Sequence, residues 1–104
     1  MIQFLKKILG SAPKADYAAL LKNGAVVVDV RTKTEYAAGH IKGSINIPLQ
    51  ELSNNLSKIK KNSPVITCCA SGMRSSTAAS LLKAKGYNDV YNAGSWMTLK
   101  KIAG

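Results

Sequence analysis

Cysteine, histidine and acidic side chains are all scarce in this sequence, and each scarcity removes a class of protein. The two cysteines, Cys68 and Cys69, are neighbours. Adjacent cysteines cannot staple a loop, so a disulfide-built scaffold is excluded. One histidine, His40, and no second cysteine pair leave a zinc site without a ligand set, so no metal and no cofactor is expected. Long apolar runs are also missing. A spanning helix needs about 20 apolar residues in succession. The opening segment MIQFLKKILGSAPK is interrupted by Lys6-Lys7 and lacks the charged start and unbroken apolar stretch of a secretory signal. A cytoplasmic protein with reduced thiols is expected.

Five Asp and Glu stand against fifteen Lys and Arg, a formal charge of +10. Lys6-Lys7, Lys58-Lys60-Lys61 and Lys100-Lys101 carry much of that excess. The field favours small anions and acidic protein partners. Weak contact with nucleic acid or a membrane surface fits the same charge, as does a plain solvated face; specific nucleic-acid recognition is not expected.

At 104 residues the chain is long enough for one modest core and too short for two. Its 46% hydrophobic and 19% charged content is that of a globular chain, which argues against disorder. Apolar residues Ile2, Leu5, Ile8 and Leu9 are spaced for a short amphipathic helix over residues 1–10, and SAP reads as a linker. Residues 1–13 are therefore set apart from a domain spanning 14–104. Within it, KADYAALLKNG is expected to be helical and AVVVDV a strand covered on both faces. TKTEYAAGH reads as a short helix closed by Gly39, GSINIP as a brief extended piece, and LQELSNNLSKIKK as helical. PVITC is a second buried strand, RSSTAASLLKAKG a helix, DVYNAG a third strand, and SWMTLKKIAG a closing helix capped by Ser95. Alternating strands and helices predict an α/β fold, a small parallel sheet flanked by helices on both faces.

Ligands of such sheets bind beyond the carboxyl ends of the strands, where the segment from Cys69 to Arg74 lies. Ala70, Ser71 and Gly72 are small, so the backbone can curl with its N–H groups inward, and Gly72 tolerates a positive φ. The helix expected from Arg74 or Ser75 aims unpaired N–H groups at the same hollow, an anion nest. A free thiol has a pKa near ~8.5, but a helix N-terminus lowers it to roughly 3.5–7.5, which makes a nucleophile without a histidine base. Cys69 is placed in that nest. Cys68 points to the opposite side of the strand and reads as buried filler.

CASGMRS, preceded by PVIT and followed by STAASLL, resembles the active-site loop of the rhodanese-like domains, a family of sulfurtransferases. VVVDVRTKTEYAAGHIKGSINIP is similar to the family's first strand and following segment, and GYNDVYNAGSW to its closing segment. The likeness runs in order over roughly residues 15 to 100. It implies a three-layer sandwich in which Cys69 takes sulfur from a small anionic donor such as thiosulfate and holds it as a persulfide. A thiol, cyanide or protein acceptor then removes it, and the backbone of Ala70, Ser71, Gly72, Met73 and Arg74 cradles the outer sulfur. In the family, cationic loop residues help bind thiosulfate; the neutral Ala70, Ser71 and Met73 favour a persulfide or polysulfide donor. Arg74 is open to two roles, supplying positive potential or forming a structural ion pair. Asp29, Arg31 and Glu35 are expected to hold the loops together, with Arg31 and Glu35 spaced to pair. His40 falls in a structural corner, and Trp96 in core or rim packing.

Counting from Cys68 instead gives Cys-x5-Arg-Ser, the pattern of cysteine phosphatases and arsenate-reductase-like enzymes. Thr67 stands where those enzymes place a histidine, and no acidic residue stands out as a leaving-group acid. A sulfur carrier, or a binding module for an acidic protein, is the other alternative. A monomer is expected.

Overall fold

The computed structural model describes residues 15–104. The helix expected over residues 1–10 and the segment 1–13 lie outside the described residues. Asp16 caps the first helix, α1 (Tyr17–Lys22), by accepting the Ala19 amide at 3.1 Å. The β-branched run that follows forms β1 (Val26–Asp29), buried from Val27 onward. Thr32 and Glu35 close a reciprocal capping box on α2 (Lys33–Ala38). The extended piece pairs as β2 (Ile45–Asn46).

The segment expected to be one helix after Pro48 is instead two 3-10 turns, Leu49–Asn54 and Leu56–Lys58. Its apolar residues still reach the core, since Leu52 and Ile59 are buried, with Leu49 and Leu56 packed beside them. The polar run Ser53-Asn54-Asn55 favours local side-chain bonds over a continuous helix, and Asn55 does bond the Glu51 carbonyl at 2.7 Å. The chain then enters β3 (Val65–Cys69), buried at every residue, α3 (Met73–Ala84), β4 (Val90–Ser95) and α4 (Trp96–Ala103), which Ser95 caps through the Met97 amide.

The four strands are all parallel in the order β2-β1-β3-β4. The sheet therefore has four strands, β2 being the short edge strand that the sequence showed only as an extended piece. Alternation along the strands builds two cores. Val28, Val65 and Cys69 face Ala78, Ala79 and Leu82 of α3 together with Leu52 and Ile59. Val27, Ile66 and Cys68 face Leu99 of α4, with Tyr17, Leu20 and Leu21 of α1. The two adjacent cysteines thus belong to opposite layers of the sandwich.

One irregularity shapes the site. Thr67 pairs with Asn92 but Cys68 pairs with Gly94, so Ala93 is an extra residue in β4. Gly94 takes a φ of +82° there, which suits glycine.

Candidate active site

Beyond β3 the backbone bends through Ala70 and Ser71 to Gly72, whose φ of +112° turns the chain into α3. Gly72 lies close against the β4 bulge; a Cβ there would meet the Gly94 Cα at 3.3 Å. This first turn has no side-chain cap of the usual kind. Cys69 Sγ does the capping instead, accepting the Gly72 amide at 2.9 Å and the Ser75 amide at 3.4 Å. The helix expected from Arg74 or Ser75 begins at Met73, which places Ser75 at the third position of the first turn, where a cap partner bonds.

Burial alone would push the Cys69 thiol up. Hydrogen bonds with the Ser75 hydroxyl and from the Ser75, Gly72 and Ser71 amides outweigh it, so the pKa lies below the usual thiol range. Cys68 behaves oppositely: burial, then the nearby Asp29 carboxylate, push its pKa up to about 12. The two sulfurs differ because only one faces a helix start. Cys69 has no accessible surface, while Ala70, Ser71 and Met73 of the covering loop are exposed.

Of the two roles open to Arg74, the geometry shows the ion pair. Its guanidinium grips Glu35 in a fork, Nη1 to Oε1 at 2.7 Å and Nη2 to Oε2 at 3.0 Å. The expected pairing of Arg31 with Glu35 is not formed. Arg31 instead takes Asp29 through Nε and Nη2, at 2.7 to 3.0 Å, and reaches only the backbone carbonyl of Glu35. Asp29 sits at the end of β1 directly below Arg31, whereas the Glu35 side chain is turned outward to cap α2 and meet Arg74. Arg31 also donates to the Gly39 carbonyl at 2.7 Å and lies 4.4 Å over the Trp96 ring. His40 is occupied by Tyr36, bonding its carbonyl through Nδ1 at 2.8 Å and stacking on its ring.

Two residues at the site were not singled out from sequence, Ser75 and Asn92. Ser75 lies six residues after Cys69, a spacing that the expected helix start would have brought to the sulfur. Asn92 carries no such signal, since it meets the loop only through the pairing of β4 with β3.

The Arg74 guanidinium, with help from the Thr32 amide, holds Glu35 well below the usual carboxylate range, at about 2. A lowered carboxylate pKa contributes stability that is present above the unfolded value and lost as pH falls through the folded one. Glu35→Gln should therefore lower the urea midpoint by a constant amount above about pH 4.5. That gap should close progressively as pH falls toward about 2. Urea titrations of both proteins across this range check the prediction.

A parallel sheet with helices on both faces, whose third strand ends in a cysteine capping the next helix, is the arrangement that the sequence likeness implied. The Rhodanese-like domain profile matches residues 14–100. The chain belongs to the rhodanese-like family. It is 38% identical over 80 residues to the thiosulfate sulfurtransferase GlpE of Pseudomonas fluorescens (strain SBW25), covering 77% of this chain and 73% of that protein. A rhodanese with anions from E. coli is similar at 34% identity and a TM-score of 0.67, covering 71% of this chain and 89% of that one. A rhodanese-related protein from Thermoplasma volcanium gives 31% identity and a TM-score of 0.71, with 85% and 90% covered.

Proposed function

We propose that this sulfurtransferase of the rhodanese-like family moves a sulfane sulfur from a persulfide, a polysulfide or thiosulfate to a thiophilic acceptor through a persulfide on Cys69. One observation carries the reading: the Gly72 and Ser75 amides converge on Cys69 Sγ and favour its thiolate. The thiolate attacks the donor's terminal sulfur. A bond forms between Sγ and that sulfur, the donor's own S–S bond breaks, and its electron pair leaves on the remaining thiolate or sulfite. The negative charge then sits on the outer sulfur, where in this reading the loop amides of Ala70, Ser71, Met73 and Arg74 stabilise it. An acceptor thiolate or cyanide attacks the outer sulfur next, and Sγ departs as thiolate.

Persulfides and polysulfides fit the mouth better than thiosulfate. Ala70, Ser71 and Met73 carry no charge, and Glu35 answers the charge of Arg74, so the strongly hydrated oxygens of thiosulfate meet little net positive charge at the loop, whereas the all-sulfur chain of a polysulfide or the organic group of a persulfide needs less. Exposed Met73, with 80% of its surface accessible, offers an apolar contact to an organic donor or acceptor. The charge of +10 favours an acidic protein among the acceptors. Cys68 cannot serve as a phosphatase nucleophile in this arrangement, since it faces the other core as a neutral thiol.

Intact-mass spectrometry after exposure to thiosulfate or polysulfide tests the assignment. One added sulfur, mapped by peptide mass to Cys69 and more complete with polysulfide, is the expected result. Sulfur found only on Cys68, or none with either donor, would overturn it; aryl phosphate hydrolysis requiring Cys68 would replace it.

A further inference from the structure

The Ser75 hydroxyl has one proton and three acceptors around it. Its oxygen lies 2.6 Å from Asn92 Oδ1, 3.2 Å from the Gly72 carbonyl and 3.4 Å from Cys69 Sγ. Asn92 Oδ1 also accepts the Gly94 amide at 2.9 Å, so two donors fix which end of the side-chain amide faces Ser75. The Gly72 carbonyl already takes the Ser76 amide at 3.0 Å and competes less well. Asn92 is itself held in place, because the Tyr17 hydroxyl bonds its backbone carbonyl at 3.0 Å and its backbone pairs with Thr67 of β3.

While Cys69 is a neutral thiol, the chain of bonds runs from S–H to Ser75 Oγ and from Ser75 O–H to Asn92. A thiolate can only accept. A lone pair of Ser75 would then face a negative sulfur, so the hydroxyl turns and Asn92 gives up its bond. We propose that Asn92 is a positioning residue that draws the Ser75 proton away from Cys69 whenever Sγ carries no charge. The inference rests on the reading of Cys69 as the persulfide-forming nucleophile.

The consequence follows the sulfur through both half-reactions. In the free thiolate, Ser75 bonds Sγ. Once a sulfur is loaded, the charge lies on the outer atom and the hydroxyl returns to Asn92. When the acceptor strips that sulfur, Sγ becomes the leaving thiolate and the hydroxyl swings back to it. No covalent bond to the Ser75 proton is made or broken. Asn92 thus favours the loaded state over the free thiolate, and keeps the nucleophile more basic than the amides and the Ser75 hydroxyl would leave it without Asn92.

The ionisable groups around the sulfur are Arg74 of α3 with Glu35 of α2, Cys68 on the same strand, and Asp29 of β1 paired with Arg31 just beyond it. Among the described residues, Ser71, Gly72 and Ser75 supply the hydrogen-bonding groups around Sγ, and of these groups only the Ser75 hydroxyl bonds the Asn92 side chain. A change at Asn92 that leaves those charges in place therefore acts through Ser75.

The pH dependence of iodoacetamide alkylation, mapped to Cys69 by peptide mass, separates this from a purely structural role. Ser75→Ala should raise the Cys69 pKa by about one pH unit, since a hydrogen bond to a charged group is lost. Asn92→Ala should lower it by about half a unit, since Ser75 loses its competing acceptor. In the Ser75→Ala background, Asn92→Ala should add nothing. Asn92→Asp preserves an acceptor for Gly94 and should raise the pKa, more strongly with Ser75 present than without it. That comparison decides the matter should Asn92→Ala fail to fold. A rise in Asn92→Ala, or equal effects with and without Ser75, would overturn the inference. Mass spectra of the same proteins keep the two readings apart. No sulfur on wild-type Cys69 would remove the persulfide reading and the inference with it, whereas normal loading with an unmoved pKa in both Asn92 variants would remove the inference alone.

Discussion

Cys69→Ser is expected to reduce sulfur transfer by about 10³-fold or more, measured as thiocyanate formed from thiosulfate or polysulfide and cyanide. A serine hydroxyl stays protonated at neutral pH, and the amides of Gly72 and Ser75 that favour a thiolate cannot ionise it. They would hold a neutral oxygen that cannot carry sulfane sulfur. The informative control is the adjacent residue. Cys68→Ser alters the opposite core, beside Ile41, Ile66 and Leu99. It should retain most of the turnover per folded molecule while losing about 1–3 kcal/mol of stability, because a hydroxyl replaces a thiol among apolar side chains. Comparable loss of turnover in both variants, with both folded, would mean that the two sulfurs act together.

Arg31→Ala should have the largest effect on stability, about 3–5 kcal/mol by urea denaturation. Arg31 is 3% exposed and Asp29 1%. Removing the guanidinium strands a buried carboxylate, takes the side-chain donor from the Gly39 carbonyl, and strips the Trp96 ring of its cation. A domain of this size has about 5–15 kcal/mol in total, so the variant would be close to unfolding at ordinary temperature. Arg31→Lys should recover little of the loss. An ammonium cannot reproduce the planar fork that reaches both Asp29 oxygens and the Gly39 carbonyl together. The ion pair sits where β1 leads into α2, so its loss should also loosen Glu35 and, through it, Arg74 at the active-site loop.

Much of this architecture was readable in advance because the signals were local and mutually consistent. Val26–Val28 and Val65–Cys69 could only be buried strands. Gly72 and the alanine-rich run after it announced a turn into a helix, and the opposite faces of Cys68 and Cys69 follow from strand geometry alone. What escaped the sequence depends on distance along the chain. The segment after Pro48 has helical spacing, yet it needs only to lay Leu52 and Ile59 on the core, which short 3-10 turns achieve. Arg31 and Glu35 are four residues apart and invite pairing, but Asp29 lies nearer in space, and Arg74, far along the chain, claims Glu35. Asn92 was illegible for the same reason, since its role depends on the pairing of β4 beside β3 that brings it to Ser75.

The covered position of Cys69 also bears on how long the enzyme survives. An ionised sulfur in open water is the preferred target of peroxide, and its successive oxidation becomes irreversible beyond the first stage. With no surface of its own exposed, this sulfur meets peroxide less often than an open one would, and each sulfur it carries takes the exposed, oxidisable position in its place.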